Sequence, residues 1–351
     1  MKLLASYVSR YSVPQTYIGA GTPSKDAYVG FDTGSDITWL FSKDCNTCGI
    51  TSDYLCSSST TCVSTATTQT LHYNGTDITG TTAQDLIQFG SIISGEFSYI
   101  NIESKSPSFV TYINGMIGLG LQGFSDSKHF IKELISSNMI SSAIVGVSMR
   151  PKGTAIIFGD YDHKIVKKRS NLRWFNMSEN EDWHLDLTDF QINGMSFGPV
   201  KMKIVTGQTQ MTVPADVYNS ILSSVTQKAF CLRNICTVAY KVYKRLKPIY
   251  MYFDAKHKIK LLYTNYVHML SYYYDQGYMA KYQLDIEKGD SWSIGTNIIQ
   301  NFYMVFDYEN KSVGIKSVMP SVASRLLSVY IVVPIMFFGF GLPALIIKIR
   351  R

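Results

Sequence analysis

The chain has 351 residues, a length expected for about two domains. Hydrophobic residues make up 46% and charged residues 17%, which allows a sizeable core and excludes a wholly disordered chain. The net charge is +7, but the segment 321–351 carries four basic residues and no acid, so residues 1–320 carry only +3. We therefore expect no basic block with interleaved aromatics in the body and no nucleic-acid partner.

The first residues do not predict a secretory leader, because residues 1–15 contain Lys2 but no apolar run of the length that a leader needs. Short apolar runs further along, such as DAYVGF, TAIIFG and PIYMYF, are bounded by Gly, Asp, Asn or Ser and predict strands. The Ser/Thr-rich stretch 57–70 predicts an exposed loop, and helical periodicity is strongest over 129–138 and 215–226. The pattern is typical of an all-β fold with a few short helices.

Cysteines and glycosylation acceptors indicate the compartment. The six cysteines form two local groups of even number, as short-loop disulfides do: Cys45, Cys48, Cys56 and Cys62, then Cys231 and Cys236. The first group could instead hold zinc. Acceptor sequons begin at Asn74, Asn176 and Asn310. Together these features favour a lumenal or extracellular body, in the secretory or endolysosomal pathway or at the cell surface, with the leader and any pro-segment missing from this version of the sequence. Without a leader, the chain taken literally would have a cytosolic body.

An internal duplication divides the chain. In the first half an apolar strand enters Asp32-Thr33-Gly34-Ser35, and Gly118 follows 86 residues after Asp32. In the second half a similar strand enters Val205-Thr206-Gly207-Gln208, and Gly295 follows 90 residues after Val205. Matched spacing predicts two homologous lobes, an N-terminal lobe over 1–168 and a C-terminal lobe over 169–320.

The C-terminal segment 326–347 contains 22 residues without a charge, enough to cross a hydrocarbon core of about 30 Å as a helix. A buried core helix is the alternative. The lack of a polar face and the basic end KIRR favour a transmembrane helix, with 348–351 as a short cytoplasmic tail.

Residues 15–318 resemble the pepsin-like aspartic peptidases. The Asp-Thr-Gly-Ser motif at Asp32, with Trp39 close behind it, is similar to the first active-site motif of that family, and HYNGTDITG resembles its flap hairpin with Tyr73 as the flap tyrosine. Further elements follow in the family's order, at 114–120, 157–160, 183–185, 293–296 and 302–307. The resemblance implies a bilobal fold of two β lobes around a cleft that binds a peptide or protein. It implies no cofactor, no metal and a monomer.

The resemblance also implies roles for single residues. Asp32 would be catalytic, and Tyr73 and Trp39 would contact substrate. Trp39 is either a core residue or the hydrogen-bond partner of Tyr73, and the position of Tyr73 favours the second. The supporting residues would be Thr33, Gly34, Ser35, Thr206 and Gly207, which shape the two turns and hold them face to face. The chemistry needs two carboxylates about 3 Å apart, which share one proton, as is known for aspartic peptidases. One then acts as base toward water while the other donates to the scissile carbonyl.

The second half departs from this pattern because Val205 stands where the second aspartate is needed. Shifting the alignment by one residue places Thr206 there, which is also not a carboxylate. Asp216 is expected in the following helix, and Asp186 and Asp189 in a different strand. Loss of one member of a cooperating pair predicts a rate loss of roughly four orders of magnitude.

The leading hypothesis is therefore a membrane-anchored pepsin-like homologue that keeps a peptide-binding cleft and has little or no peptidase activity. One alternative is an active aspartic endopeptidase whose second acid comes from elsewhere. The other is a non-catalytic surface scaffold or adhesive protein.

Overall fold

The computed structural model describes residues 2–4, 13–49, 52–73, 76–90, 92–106, 111–124, 126–149, 154–178, 181–226, 230–232, 235–274 and 278–318. The chain divides into one unit from Met1 to Ser317 and a second from Val318 to Arg351. The predicted span 326–347 and tail 348–351 lie outside the described residues. None of the helices within the described residues is long and apolar enough to cross a membrane.

Strands dominate the described residues. The first half of the chain forms β1 (Lys2–Leu4), β2 (Gln15–Ala20), β3 (Lys25–Asp32), β4 (Trp39–Phe41), β5 (Val63–Tyr73), β6 (Thr76–Phe89), β7 (Ile92–Lys105), β8 (Gly115–Gly118), β9 (Ile144–Ser148) and β10 (Ala155–Phe158). The second half forms β11 (Arg173–Asn176), β12 (His184–Leu187), β13 (Asp189–Ile192), β14 (Met195–Ser196), β15 (Val200–Ile204), β16 (Met211–Val213), β17 (Phe230–Leu232), β18 (Ile235–Ala239), β19 (Ile249–Tyr252), β20 (Lys258–Leu261), β21 (Val267–Tyr274), β22 (Tyr278–Leu284), β23 (Ile286–Lys288), β24 (Ser293–Ile294), β25 (Phe302–Asp307) and β26 (Ser312–Ser317).

The α-helices are short. They are α1 (Phe130–Ser136), α2 (Ala215–Thr226), α3 (Tyr240–Tyr243) and α4 (Thr296–Ile299). The predicted helices over 129–138 and 215–226 are confirmed as α1 and α2. The fold is mostly β with few short helices, as the sequence predicts.

The sheets follow the two halves of the chain, with one exception. A seven-stranded sheet, in the order β2-β3-β8-β4-β7-β6-β5, comes from the first half. A five-stranded sheet (β12-β15-β24-β16-β23) and two four-stranded sheets (β14-β13-β19-β20 and β17-β18-β22-β21) come from the second half. The six-stranded sheet β1-β10-β9-β25-β26-β11 takes strands from both halves. The lobe boundary at 168/169 stays a prediction.

The duplication seen in the sequence has a structural counterpart. β3 pairs in parallel with β8, so that Asp32 lies opposite Gly118. In the second half β15 pairs in parallel with β24, so that Ile204 lies opposite Ile294. Each motif turn therefore follows a strand whose parallel neighbour comes from the glycine-bearing segment downstream. This repeated pairing is what positions the two turns.

The predicted loop over 57–70 is wrong in its second part, because β5 begins at Val63. Threonine is β-branched and favours extended backbone, and β5 pairs with β6 on both sides of an irregularity between Ser64 and Thr68. The resulting pair of strands includes most of the segment predicted to be the flap, and residues 74–75 lie outside the described residues.

The zinc alternative for the first cysteine group is also wrong. Disulfides join Cys45 to Cys48 and Cys56 to Cys62, so these four sulfurs cannot act as thiolate ligands. Cys236 is disulfide-bonded too, and its strand register places it opposite Cys231. No group of three or more metal-ligating side chains occurs within the part of the chain that the structure describes.

Helix α1 is fastened to the seven-stranded sheet by a buried carboxylate. Glu133 is 6% exposed, and both of its carboxylate oxygens accept the backbone N–H of Ser98 at 3.0 Å. Burial raises the pKa of Glu133 from 4.5 to about 7. The folded state thus binds this proton more tightly than the unfolded chain does, and its stabilising effect is lost as the pH rises through about 7.

We expect Glu133→Gln to remove this pH dependence, since an amide oxygen still accepts from Ser98 and does not ionise. Between pH 5 and pH 8 the free energy of unfolding of the parent should fall by about 1–3 kcal/mol relative to that of the variant. Urea unfolding at both pH values measures it. Glu96→Gln, at an exposed position of β7, is the matched control and should follow the parent. A constant difference between parent and Glu133→Gln would contradict the assignment.

Candidate functional site

The candidate site is built on the turn after β3. Asp32 is 5% exposed, and its Oδ1 accepts the backbone N–H of Gly34 at 2.8 Å and that of Gly207 at 3.1 Å. The second of these donors lies 175 residues away in sequence. One carboxylate oxygen therefore contacts both motif turns.

Two buried threonines join the turns by a reciprocal set of hydrogen bonds. Thr33 Oγ1 accepts the N–H of Thr206 at 3.1 Å and donates to the carbonyl of Ile204 at 2.7 Å. Thr206 Oγ1 accepts the N–H of Thr33 at 3.0 Å and donates to the carbonyl of Phe31 at 2.8 Å. A hydroxyl is suited to this task because it donates and accepts at once. Each turn therefore makes the same two kinds of hydrogen bond to the other.

The glycines show which side chains face each other across the turns. A Cβ atom placed on Gly207 would lie 2.3 Å from Cγ of Asp32, and one placed on Gly34 would lie 2.7 Å from Cγ1 of Val205. Each glycine thus leaves room for the first motif residue of the opposite turn. Val205 holds in the second turn the position that Asp32 holds in the first, and Thr206 is the partner of Thr33.

The other carboxylates considered from the sequence are engaged elsewhere or exposed. Asp216 is exposed in α2, and exposed Asp186 lies 3.5 Å from the Nε2 of His184. Asp189 accepts hydrogen bonds from Ser196, Gly198 and Gln191. None of these contacts involves the turn residues 32–34 or 205–207.

The residue after Gly207 contributes an amide and not an acid. Gln208 Oε1 accepts from the hydroxyl of Ser293 at 3.1 Å, and its Nε2 donates to the carbonyl of Gln210. An amide cannot exchange a proton with water in the way a carboxyl does. Gln208 is therefore suited to shaping the second turn and not to acid–base chemistry.

The segment 118–120 holds the Asp32 turn from behind. Leu119 N–H donates to the carbonyl of Asp32 at 2.7 Å, and Gly120 N–H donates to the carbonyl of Ser35 at 2.8 Å. The carbonyl of Leu119 in turn accepts Nε1–H of Trp183 at 2.9 Å and the hydroxyl of Tyr308 at 2.8 Å. Both donors come from the second half of the chain and both are fully buried.

His129 completes this support. Its Nδ1 accepts the backbone N–H of Ile131, which caps α1, and its Nε2 lies 2.9 Å from the carbonyl of Gly120. Because Nδ1 accepts, Nε2 must carry the hydrogen and donate it. Burial lowers the pKa of His129 below its ordinary value of 6.5. The imidazole is therefore held neutral, and it links the first turn of α1 to the segment 118–120 behind Asp32.

The remaining predicted site residues are placed as follows. Trp39 is fully buried and its ring centre lies 5.0 Å from that of Phe41, as expected for a core residue. Its predicted contact with Tyr73 stays a prediction, because the Tyr73 side chain lies outside the described part. Ser35 Oγ accepts the N–H of Ile37 at 3.2 Å. Of the sequon residues, Asn176 and Asn310 are exposed, and Asn74 lies outside the described residues.

Sequence reasoning missed His129 and Tyr308 as supports of the site. The Trp183 and Tyr308 donors lie 64 and 189 residues from Leu119, so no local pattern links them to it. The one local signal is the position of His129 as the first residue of the predicted helix 129–138, where a side-chain acceptor can cap the first turn.

Comparison with known proteins gives a consistent result. The model of the family described as "Eukaryotic aspartyl protease" matches residues 15–318. The chain is 29% identical to Plasmepsin VIII of Plasmodium berghei, over 55% of this chain and 54% of that relative. It is 22% identical to Pepsin A of Bos taurus, over 86% and 83% of the two chains, and 25% identical to Cathepsin D of Dictyostelium discoideum, over 85% and 82%.

Removing the reciprocal hydrogen bonds between Thr33 and Thr206 should destabilise the folded protein strongly and specifically. Thr206→Val keeps the shape but leaves the Thr33 N–H and the Phe31 carbonyl without their partner, and we expect the free energy of unfolding to fall by about 2–4 kcal/mol. Chemical denaturation measures the change. Thr206→Ser retains the hydroxyl and should recover most of the loss. Equal effects of valine and serine would show that the hydrogen bonds are not responsible.

We expect His129 to make the free energy of unfolding depend on pH with the opposite sign to that of Glu133. Its pKa is lowered in the folded state, so its contribution is present above pH 6.5 and is lost as the pH falls below it. His129→Asn keeps a capping side chain and does not titrate. The advantage of the parent over this variant should therefore shrink between pH 7 and pH 5 in urea unfolding. An advantage that grows over this range would contradict the neutral imidazole.

Proposed function

Because the chain belongs to the eukaryotic aspartyl protease family, we propose that residues 15–318 form a peptide-binding cleft with one retained catalytic-type aspartate and little or no peptidase activity. The ligand is an extended peptide or protein segment, bound by backbone hydrogen bonds from strand edges and the hairpin of β5 and β6. No cofactor is required.

The observation that carries this proposal is the position of Val205. The Val205 side chain faces Gly34 as the Asp32 side chain faces Gly207. The reciprocal hydrogen bonds between Thr33 and Thr206 are both present. The two turns are thus joined to each other with a hydrocarbon side chain at the position predicted for the second acid. A methyl group can neither share the Asp32 proton nor bind water. Only one of the two carboxyl groups needed to activate water is therefore present in the two turns.

A membrane-bound, lumenal or extracellular body is part of the same proposal. The uncharged segment 326–347 supports a single span, with 348–351 on the cytoplasmic side. The disulfides support an oxidising compartment for the body. The exposed sequon residues Asn176 and Asn310 are suitable glycan acceptors.

Two alternatives remain open for the same cleft. An active endopeptidase would need its second acid from another part of the chain or from a partner, and membership of the family favours it. A scaffold or adhesive protein would use the fold without binding a peptide in the cleft, and Val205 is compatible with it.

Single substitutions at the two turns separate these functions. We expect the full chain in detergent, assayed on denatured protein between pH 3 and pH 6, to cleave no faster than its Asp32→Asn variant. Val205→Asp should raise the rate by roughly four orders of magnitude, because it restores the second carboxylate. Val205→Asn, similar in size but unable to ionise, is the matched control and should stay inactive.

Parent activity that Asp32→Asn abolishes would overturn the inactive assignment in favour of the active alternative. Binding of a peptide-like transition-state analogue by the parent, measured by calorimetry, supports the cleft function. An inactive Val205→Asp chain that also binds no such analogue would favour the scaffold.

A further inference from the structure

A basic segment lies in the second half of the chain. Between residues 241 and 260 there are seven Lys or Arg residues and one acid, Asp254, so these 20 residues carry a net +6. This is nearly the charge of the whole chain, +7. Averaging over residues 1–320 conceals it, and the expectation that no basic and aromatic block exists in the body is wrong.

The structure places part of this charge on one side of a hairpin. In the pairing of β19 with β20, Tyr250 lies opposite Lys260 and Tyr252 opposite Lys258. The intervening residues Ile249, Met251 and Leu261 are buried, so the tyrosines and lysines share the outer side. The Nζ of Lys258 lies 5.0 Å from the ring centre of Tyr250 and 5.2 Å from that of Tyr252. We call Tyr250, Tyr252, Lys258 and Lys260 the Lys–Tyr face.

The acids beside this face already have partners. Asp254, in the turn of the hairpin, pairs with Arg173 at 2.6 Å and with His257 at 2.9 Å. Asp189, across from Tyr252 in β13, accepts hydrogen bonds from Ser196, Gly198 and Gln191. The exposed Lys256, Lys258 and Lys260 take part in none of the ion pairs of the described residues. Their charge is therefore available to a partner.

The turn of the hairpin contacts β11, the strand that pairs with the last described strand, β26. Arg173, which pairs with Asp254 of the hairpin turn, is the register partner of Ile315 in β26. β26 ends at Ser317. Leu326, the first residue of the predicted span, is eight positions after Val318, and eight residues of extended chain reach at most about 29 Å.

We propose that the Lys–Tyr face, with Lys256, binds the surface of an anionic phospholipid bilayer. Lysine ammonium groups are attracted to lipid phosphates, and tyrosine suits the headgroup layer because its ring is apolar and its hydroxyl polar. A basic surface adds to a single anchor and fixes how the body is presented to the membrane. The inference goes beyond the proposed cleft function and adds a second contact to the proposed membrane attachment.

Protection of a strand edge and binding of nucleic acid account for less of the pattern. Lysines on an edge strand such as β20 hinder edge-to-edge association, but this does not explain Lys256 in the turn or the four basic residues between 241 and 247. Single-stranded nucleic acid binds through base stacking on open aromatic faces. Base stacking would need the ring faces of Tyr250 and Tyr252, over which the Lys258 ammonium already lies, whereas attraction to lipid phosphates needs only the lysine charges.

The test uses the full chain in nanodiscs of phosphatidylcholine alone or with added phosphatidylserine. Acetylation of single lysines, read by mass spectrometry, reports their exposure. We expect the reactivity of Lys256, Lys258 and Lys260 to fall severalfold in the anionic discs and to recover at high salt. Exposed lysines of the first half, Lys25, Lys43 and Lys128, should react equally in both.

Vesicle flotation provides the second measurement. Replacing Lys256, Lys258 and Lys260 by Gln together should weaken the added binding to phosphatidylserine vesicles at least about tenfold, while replacing Lys25, Lys43 and Lys128 by Gln should not. Equal acetylation in both kinds of disc, or equal flotation of the two triple variants, would overturn the proposal. Protection by heparin or RNA but not by anionic lipid would also overturn it.

Failure of the anchor is read separately. Extraction of the chain from neutral vesicles by alkaline carbonate would contradict the proposed span. The same extracted chain mixed with anionic vesicles still tests the Lys–Tyr face, because surface binding does not require insertion.

Discussion

The hydroxyl groups of Thr33 and Thr206 make the interaction on which the rest of the site depends. Each hydroxyl accepts the backbone N–H of the other threonine and donates to the carbonyl of the residue two positions before that threonine. The residues joined in this way lie about 170 positions apart in sequence. Because both residues are buried, no water can replace these partners without cost. The contact places two distant turns within reach of one carboxylate, that of Asp32.

The second turn separates two properties, its architecture and its acidity. The architecture is retained: the threonine is in place, Gly207 makes room for Asp32, and the N–H of Gly207 reaches the carboxylate. The acidic function is replaced by the hydrocarbon of Val205. The hydrogen bonds between the turns use hydroxyls and backbone groups and no second carboxylate, so the fold is compatible with valine at position 205. The same separation explains why family membership fixes the architecture and leaves the activity to experiment.

Local patterns are sufficient to predict much of the fold. The Asp-Thr-Gly-Ser turn, α1, α2 and the closely spaced cysteine pairs all depend on residues near one another in sequence. Contacts between distant segments are not predictable in this way, as with Trp183 and Tyr308, which meet the carbonyl of Leu119 only in the folded chain. The strand at Val63 resembles a loop in sequence because its hydroxyl-rich residues are polar on both sides, so no apolar alternation marks it. The charge on β20 is hidden by averaging over a chain with many acids elsewhere.

The six-stranded sheet imposes an order on biosynthesis. β9 and β10 are made within the first half, yet β9 pairs with β25, whose residues emerge about 160 positions later. Until then β9 presents an unpaired edge of apolar residues, the kind of edge that recruits other chains. A ribosome-bound first half therefore lacks the strand that pairs with β9 until β25 has been synthesised. The last two strands of the described residues, β25 and β26, thus complete a sheet begun by the first half of the chain.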